Sequence, residues 1–143
     1  MSTTLRSQLR DNLVALVSLT VALASFGYTA WRMERSETNL TTRQAAFQLL
    51  TALGQMQEVV YLAHYDHDAI RGSPRSGWVF VMTINDFSAT MPAPVQARAA
   101  DLLSAWRDHW EGLMATGDTD ADAISDALEA CRSAVVTELR ALH

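Results

Sequence analysis

Lysine is absent from this 143-residue chain, cysteine occurs once, and proline only three times. All 11 basic residues are arginine, a codon-usage bias of a GC-rich genome to which no mechanism attaches. With Cys131 alone, one chain cannot close an intramolecular disulfide or build a thiolate metal cage. Positive charge is scarce where it would matter for polyanions. From Tyr61 onward 12 acidic residues face 6 arginines, and such a surface repels both nucleic acid and anionic lipid headgroups, so no nucleic-acid partner is expected. Also missing are a Gly-rich phosphate loop, a nucleophile elbow and a Ser-His-Asp arrangement, so the chain is expected not to be an enzyme and to carry no cofactor.

What the chain does have is apolar residues, 49 % against 19 % charged, the balance of a folded protein. Their densest run is Leu13 to Trp31, LVALVSLTVALASFGYTAW, 19 positions without a charge between Arg10-Asp11 and Arg32. As a helix rising about 1.5 Å per residue it covers roughly 28 Å, close to the hydrocarbon thickness of a bilayer. Tyr28 and Trp31 stand at its far end, where amphipathic rings favour the headgroup level. A cleavable signal peptide is the competing reading. Its apolar region would be about 7–15 residues and would end in a small-x-small site, whereas Ala22-Leu23-Ala24 lies inside the run. Arginines divide almost evenly across the two ends, Arg6 and Arg10 against Arg32, Arg35 and Arg43, so charge bias assigns no orientation.

Along this helix Ala15, Ser18, Ala22, Ser25 and Thr29 recur at steps of three and four, a seam of small residues along which two helix backbones can approach. The expected use is self-association or docking on a partner membrane helix. Small residues are also common in any transmembrane helix.

From Arg32 the helical pattern meets few breakers until Gly72, so the anchor is expected to extend into water. Ala46, Leu49, Leu53, Met56, Val60 and Ala63 fall on one stripe. The turn signal Arg71-Gly-Ser-Pro-Arg-Ser-Gly77 follows. Trp78 to Thr90 is strand-like by propensity, but a lone strand would have no partner, so a short helix capped by Ser76 is expected. Pro92 and Pro94 open a third helix with Val95, Ala99, Leu102, Trp106, Trp110 and Leu113 on its apolar face. After Gly117 a last helix carries Ile124, Leu128, Cys131, Val135, Leu139 and Leu142. The expected fold is all-α: a short polar N-terminal tail (1–12), one transmembrane helix (13–31), and a soluble domain (32–143) forming an up-and-down bundle of about four helices.

Two constellations carry possible chemistry. On a helix His64, His67 and Asp68 share a face and could offer two imidazoles and a carboxylate to one metal ion. The plainer alternative is a polar helix end, with histidines near the negative pole of the dipole. From Asp118 to Glu129, acidic residues fall at positions 1, 3, 5, 9 and 12, which resembles the calcium loop of the EF-hand family. Ala123 stands where that loop needs glycine, and Ser125 where it needs a hydrophobe. Ile124, Leu128 and Cys131 already form a helical stripe, so Asp118 or Asp120 reads better as an N-cap.

The segments Leu5 to Leu16, Tyr28-Thr-Ala-Trp-Arg32 and Arg71 to Trp78 together resemble small single-pass bacterial membrane proteins without an assigned function, which implies a bacterial inner-membrane setting. The function expected is a noncatalytic, membrane-anchored interaction or scaffold protein whose partners are the lipid bilayer and a second copy or another membrane protein. A membrane-anchored sensory module binding a ligand or metal is the alternative from a different class, and a small membrane enzyme is the third.

Overall fold

The structure, a computed structural model, describes residues 3–142, with the side chains of 3–11 and 34–38 outside the description. Arg6, Arg10 and Arg35, which entered the charge comparison, fall among those side chains. Most of the described residues are helical and none lies in a strand: α1 (Thr3–His64), α2 (Pro74–Ser88), α3 (Ala93–His109), a 3-10 turn (Trp110–Gly112) and α4 (Thr119–Ala141). The chain divides into two compact units, Met1–Asn39 and Leu40–His143. The first is the N-terminal part of α1, so the described residues of the expected tail are helical.

The second unit is a four-helix bundle built from the rest of α1 with α2, α3 and α4. All six stripe residues of α1 are buried, Ala46, Leu49, Leu53, Met56 and Ala63 completely and Val60 nearly so. Burying each large apolar side chain contributes about 1.5–3 kcal/mol, which outweighs the roughly 1 kcal/mol that Gly54 costs inside a helix. Opposing ends fix the directions of the helices. Gln44 and Gln48 of α1 line one groove with Phe87 near the end of α2, and Glu58 and Leu62 line another with Ser76 and Phe80 near its start. At one end of the bundle Arg43 donates a hydrogen bond to the Leu142 carbonyl past the end of α4. At the other, His64 reaches Asp118, just before α4 begins. Neighbouring helices therefore run up and down, joined by short connections, as the stripes require.

The segment with strand propensity is helical, as expected, and buries Gly77, Val81, Ile84 and Ser88. Its N-cap is Ser73, with Pro74 in the first turn. Ser76 instead lies inside that turn, where its hydroxyl donates to the Ser73 carbonyl at 2.6 Å. Fixed φ and a missing N–H suit proline to this position, and this moves the helix start upstream of the serine. α3 buries Val95, Ala99, Leu102 and Trp106. At Trp110 it tightens into the 3-10 turn, which puts Leu113 in the core but leaves Trp110 half-buried, its ring edge-on to Trp78 at 6.2 Å. Trp106, the largest buried side chain, lies against Gly77, where a Cβ would meet its ring at 2.2 Å.

Candidate functional site

Two regions carry the residues singled out above. The first is the apolar segment, Asn12–Met33, 22 residues, none buried within the structure. At about 1.5 Å per residue it measures roughly 33 Å, enough to span a bilayer core. By length and composition it could cross a membrane, and a signal sequence would pass the same test. Two hydroxyls here are satisfied locally. Thr20 Oγ1 donates to the Leu16 carbonyl and Thr29 Oγ1 to the Ser25 carbonyl, both at 2.8 Å. Such back-bonding leaves fewer unpaired donors to face hydrocarbon. Tyr28 and Trp31 are adjacent at the end of the segment, ring centroids 6.1 Å apart. Ala15, Ser18, Ala22, Ser25 and Thr29 are all exposed.

The second region is the end of the bundle where α1 and α3 finish and α4 begins. α1 stops at His64 rather than continuing toward Gly72. The chain reverses through His67, whose φ of 49° is the left-handed conformation, and the Asp68 N–H returns to the Leu62 carbonyl at 2.9 Å. Asp68 then accepts the backbone N–H groups of Ile70 and Arg71, both at 2.9 Å. Those two donors hold its carboxyl below the ordinary range. Gly72 completes the turn, its N–H bonded to the Asp68 carbonyl at 2.8 Å. A Cβ there would lie 2.4 Å from the Ala63 nitrogen and 2.5 Å from the Leu62 carbonyl carbon, so the turn closes onto α1 backbone.

The shared helical face expected of His64, His67 and Asp68 is therefore not formed. His67 and Asp68 lie beyond the helix, and the Asp68 carboxylate is engaged by backbone. Among the described residues no group of three His, Cys, Asp or Glu side chains is placed to hold a metal ion. His64 instead joins three segments. Its buried ring faces the Leu113 carbonyl through Nδ1 at 3.3 Å and Asp118 Oδ1 through Nε2 at 2.9 Å, and packs edge-on against Tyr65 at 4.7 Å.

A second pair stands nearby in the fold: His109 Nδ1 to Asp120 Oδ1 at 2.6 Å. These two contacts engage the first two acidic residues, Asp118 and Asp120, of the run that resembles a calcium loop. Asp118 is the N-cap residue of α4 but makes no side-chain capping bond, its carboxylate having gone to His64. Asp120 is drawn to His109, and from Thr119 onward the segment is helix. The sequence does hold one trace of the second pair. At Gly112 a Cβ would overlap the Asp120 carboxylate, 1.8 Å from Oδ2, so glycine makes room for it.

Chemically, this end of the bundle ties loops to helices. His64 lies between a main-chain carbonyl and a helix-start carboxylate at a single buried position, which ties the start of α4 to the end of α1. Cys131 is buried in the core, and burial pushes its thiol up to about 11. No protein-family model, curated protein or solved structure matches the chain.

Proposed function

We propose that the chain is a noncatalytic, single-pass membrane protein of a bacterial inner membrane whose helical bundle binds another protein beside the bilayer. The observation that carries this is the contrast between the two units. Asn12–Met33 is apolar over 22 residues with none of them buried. The bundle, by contrast, encloses its own core, with Trp106, Leu49, Leu53, Met56 and Ile84 shielded from solvent. A segment that no protein core covers needs another apolar environment, and a bilayer supplies one. Within it, the seam Ala15, Ser18, Ala22, Ser25 and Thr29 is the helix–helix contact surface, where small side chains permit close approach.

Two histidine–aspartate pairs that each terminate in main-chain or helix-start contacts fit a structural role better than metal or ligand sensing. The test is extraction of membranes with alkaline carbonate. The full chain should stay in the pellet, and changing Leu16 and Leu19 to arginine should move it to the supernatant. Release of the unaltered chain by carbonate would overturn the proposal.

A further inference from the structure

The outward faces of the bundle helices differ in kind. On α3 the exposed positions include Arg98, Asp101, Arg107 and Asp108, and on α4 Asp122, Asp126, Glu129 and Arg140, with no large apolar side chain exposed on either, while the short α2 exposes Val79, Met82 and, less fully, Phe87. On α1 the exposed face opposite the core carries Leu40 at 58 %, Phe47 at 62 % and Tyr61 at 55 % exposure, and Tyr65, the first residue past the helix end, continues it at 62 %. Its two charged residues are engaged within the chain, Arg43 with the Leu142 carbonyl and Glu58 with Arg71 at 3.3 Å.

The positions are regular. Leu40, Gln44, Phe47, Thr51, Gly54, Glu58, Tyr61 and Tyr65 advance by alternating steps of four and three, the spacing of a helix seam that packs along a parallel neighbour. They mark the centre of the solvent side, half a turn from Leu49, Met56 and Ala63. Tyr61 and Tyr65 are already paired at a centroid separation of 5.3 Å, forming a preassembled aromatic surface.

We infer that this face of α1 is the contact between two copies of the chain, paired side by side and parallel. This rests on the membrane-anchored reading, because two copies threaded the same way through one bilayer present α1 in the same direction. Area supports the occupant. With aromatic side chains near 200 Å² each, the observed exposures leave about 350 Å² of Phe47, Tyr61 and Tyr65 surface per copy. Doubled, this is about 700 Å², and full coverage of it together with Leu40, Gln44 and Thr51 reaches the roughly 1,000 Å² that a specific interface needs. A two-fold axis along the seam sets each apolar residue against its own copy, so one sequence pattern satisfies both sides. Glu58 would meet Glu58 of the partner subunit, but each carries Arg71 beside it, which offsets the repulsion.

The experiment uses the full chain in membranes. Cys131 is changed to alanine, and a single cysteine is placed at Thr51 on the seam, at Ser104 on the outer face of α3, or at Ala22 within the apolar segment. Mild oxidation should give a disulfide-linked homodimer from the Thr51 position and none from Ser104, and Phe47→Asp should cut the Thr51 product at least tenfold with helicity unchanged. A chain retained after carbonate washing that gives no Thr51 homodimer overturns the proposal and leaves the membrane reading standing, whether or not Ala22 crosslinks. A Thr51 adduct with a different protein in place of the homodimer also overturns it. Release of the chain by carbonate defeats the anchored reading first. In that case a Thr51 homodimer formed in solution supports the same face as a self-contact, and its absence ends the proposal.

Discussion

Gly77 offers a sharp test of how the bundle core is packed. A Cβ at this position would stand 2.2 Å from Trp106 Cζ2 and 2.3 Å from Cη2, where carbon atoms normally rest about 3.5–4.0 Å apart. The indole would have to retreat by more than 1 Å, yet Trp106 is fully buried and its neighbours leave no free space to enter. Overpacking of this kind costs about 1–3 kcal/mol, and a rigid ring hit head-on belongs at the upper end. Against it stands the gain of about 1 kcal/mol for alanine over glycine in a helix. Gly77→Ala should therefore destabilise the bundle by about 2 kcal/mol, near 10 °C in Tm for a unit of this size. Gly54→Ala, measured in detergent with the chain dilute enough to stay monomeric, is the matched control, because within one chain a Cβ there meets nothing within 4 Å and only the helix gain of about 1 kcal/mol remains. Thermal and urea unfolding of the full chain in detergent, followed by helical circular dichroism, reads both variants. Trp106→Phe removes the ring atoms in question, so Gly77→Ala in that background should lose its penalty, a coupling of about 2–3 kcal/mol. Equal stabilisation by both alanines, or no coupling with Trp106→Phe, would refute the packing described.

Four other outcomes are expected. Gly72→Ala should destabilise by about 2–3 kcal/mol in the same unfolding assay, because the added carbon meets Ala63 and Leu62 backbone that cannot rotate away. His64→Ala should cost about 1–3 kcal/mol by removing a buried ring that lies between the Leu113 carbonyl and Asp118, and Asp118→Ala less, its side chain being 75 % exposed. The Asp68 carboxyl is held low by the Ile70 and Arg71 N–H groups. Its contribution is thus present above the unfolded carboxylate range and fades as pH falls below about 4. Hydrogen-exchange protection at Ile70 and Arg71, relative to the intrinsic rate at each pH, should fall there in the parent but stay flat in Asp68→Asn. The Cys131 thiol, buried and raised to about 11, should resist alkylation at pH 8 until denaturant is added, and prompt labelling of the folded chain would contradict its burial.

Which parts of the molecule were legible in its sequence follows from the range of the forces involved. The α1 stripe from Ala46 to Ala63 and the α4 stripe from Ile124 to Val135 could be read because helical periodicity is local and core burial follows it. Trp78 to Ile84 carries β-branched and aromatic residues, and here the lack of any partner strand decided against intrinsic preference. The end of α1 was harder. Spacing alone suggested that His64, His67 and Asp68 share a helix face, but a left-handed His67 with Asp68 capping the next turn competes successfully with one more helical turn. Contacts between His64 and Asp118, 54 positions apart, and between His109 and Asp120 depend on how the helices assemble, and no local pattern encodes that. Asp118 or Asp120 was expected to cap α4; Asp118 is the N-cap residue but gives its side chain to His64, and Asp120 gives its own to His109. The outer face of α1 was present in the sequence throughout, but Leu40, Phe47, Tyr61 and Tyr65 stand out only once the opposite stripe is known to fill the core.

The most direct measurement of the central claim is the intact mass of the protein recovered from carbonate-washed membranes. An anchor that remains in the bilayer gives a mass that still includes the Asn12–Met33 helix, 15.8 kDa for these 143 residues. A product beginning just after Ala24, or a chain found only in the wash, would instead identify that helix as a removed leader or a peripheral element.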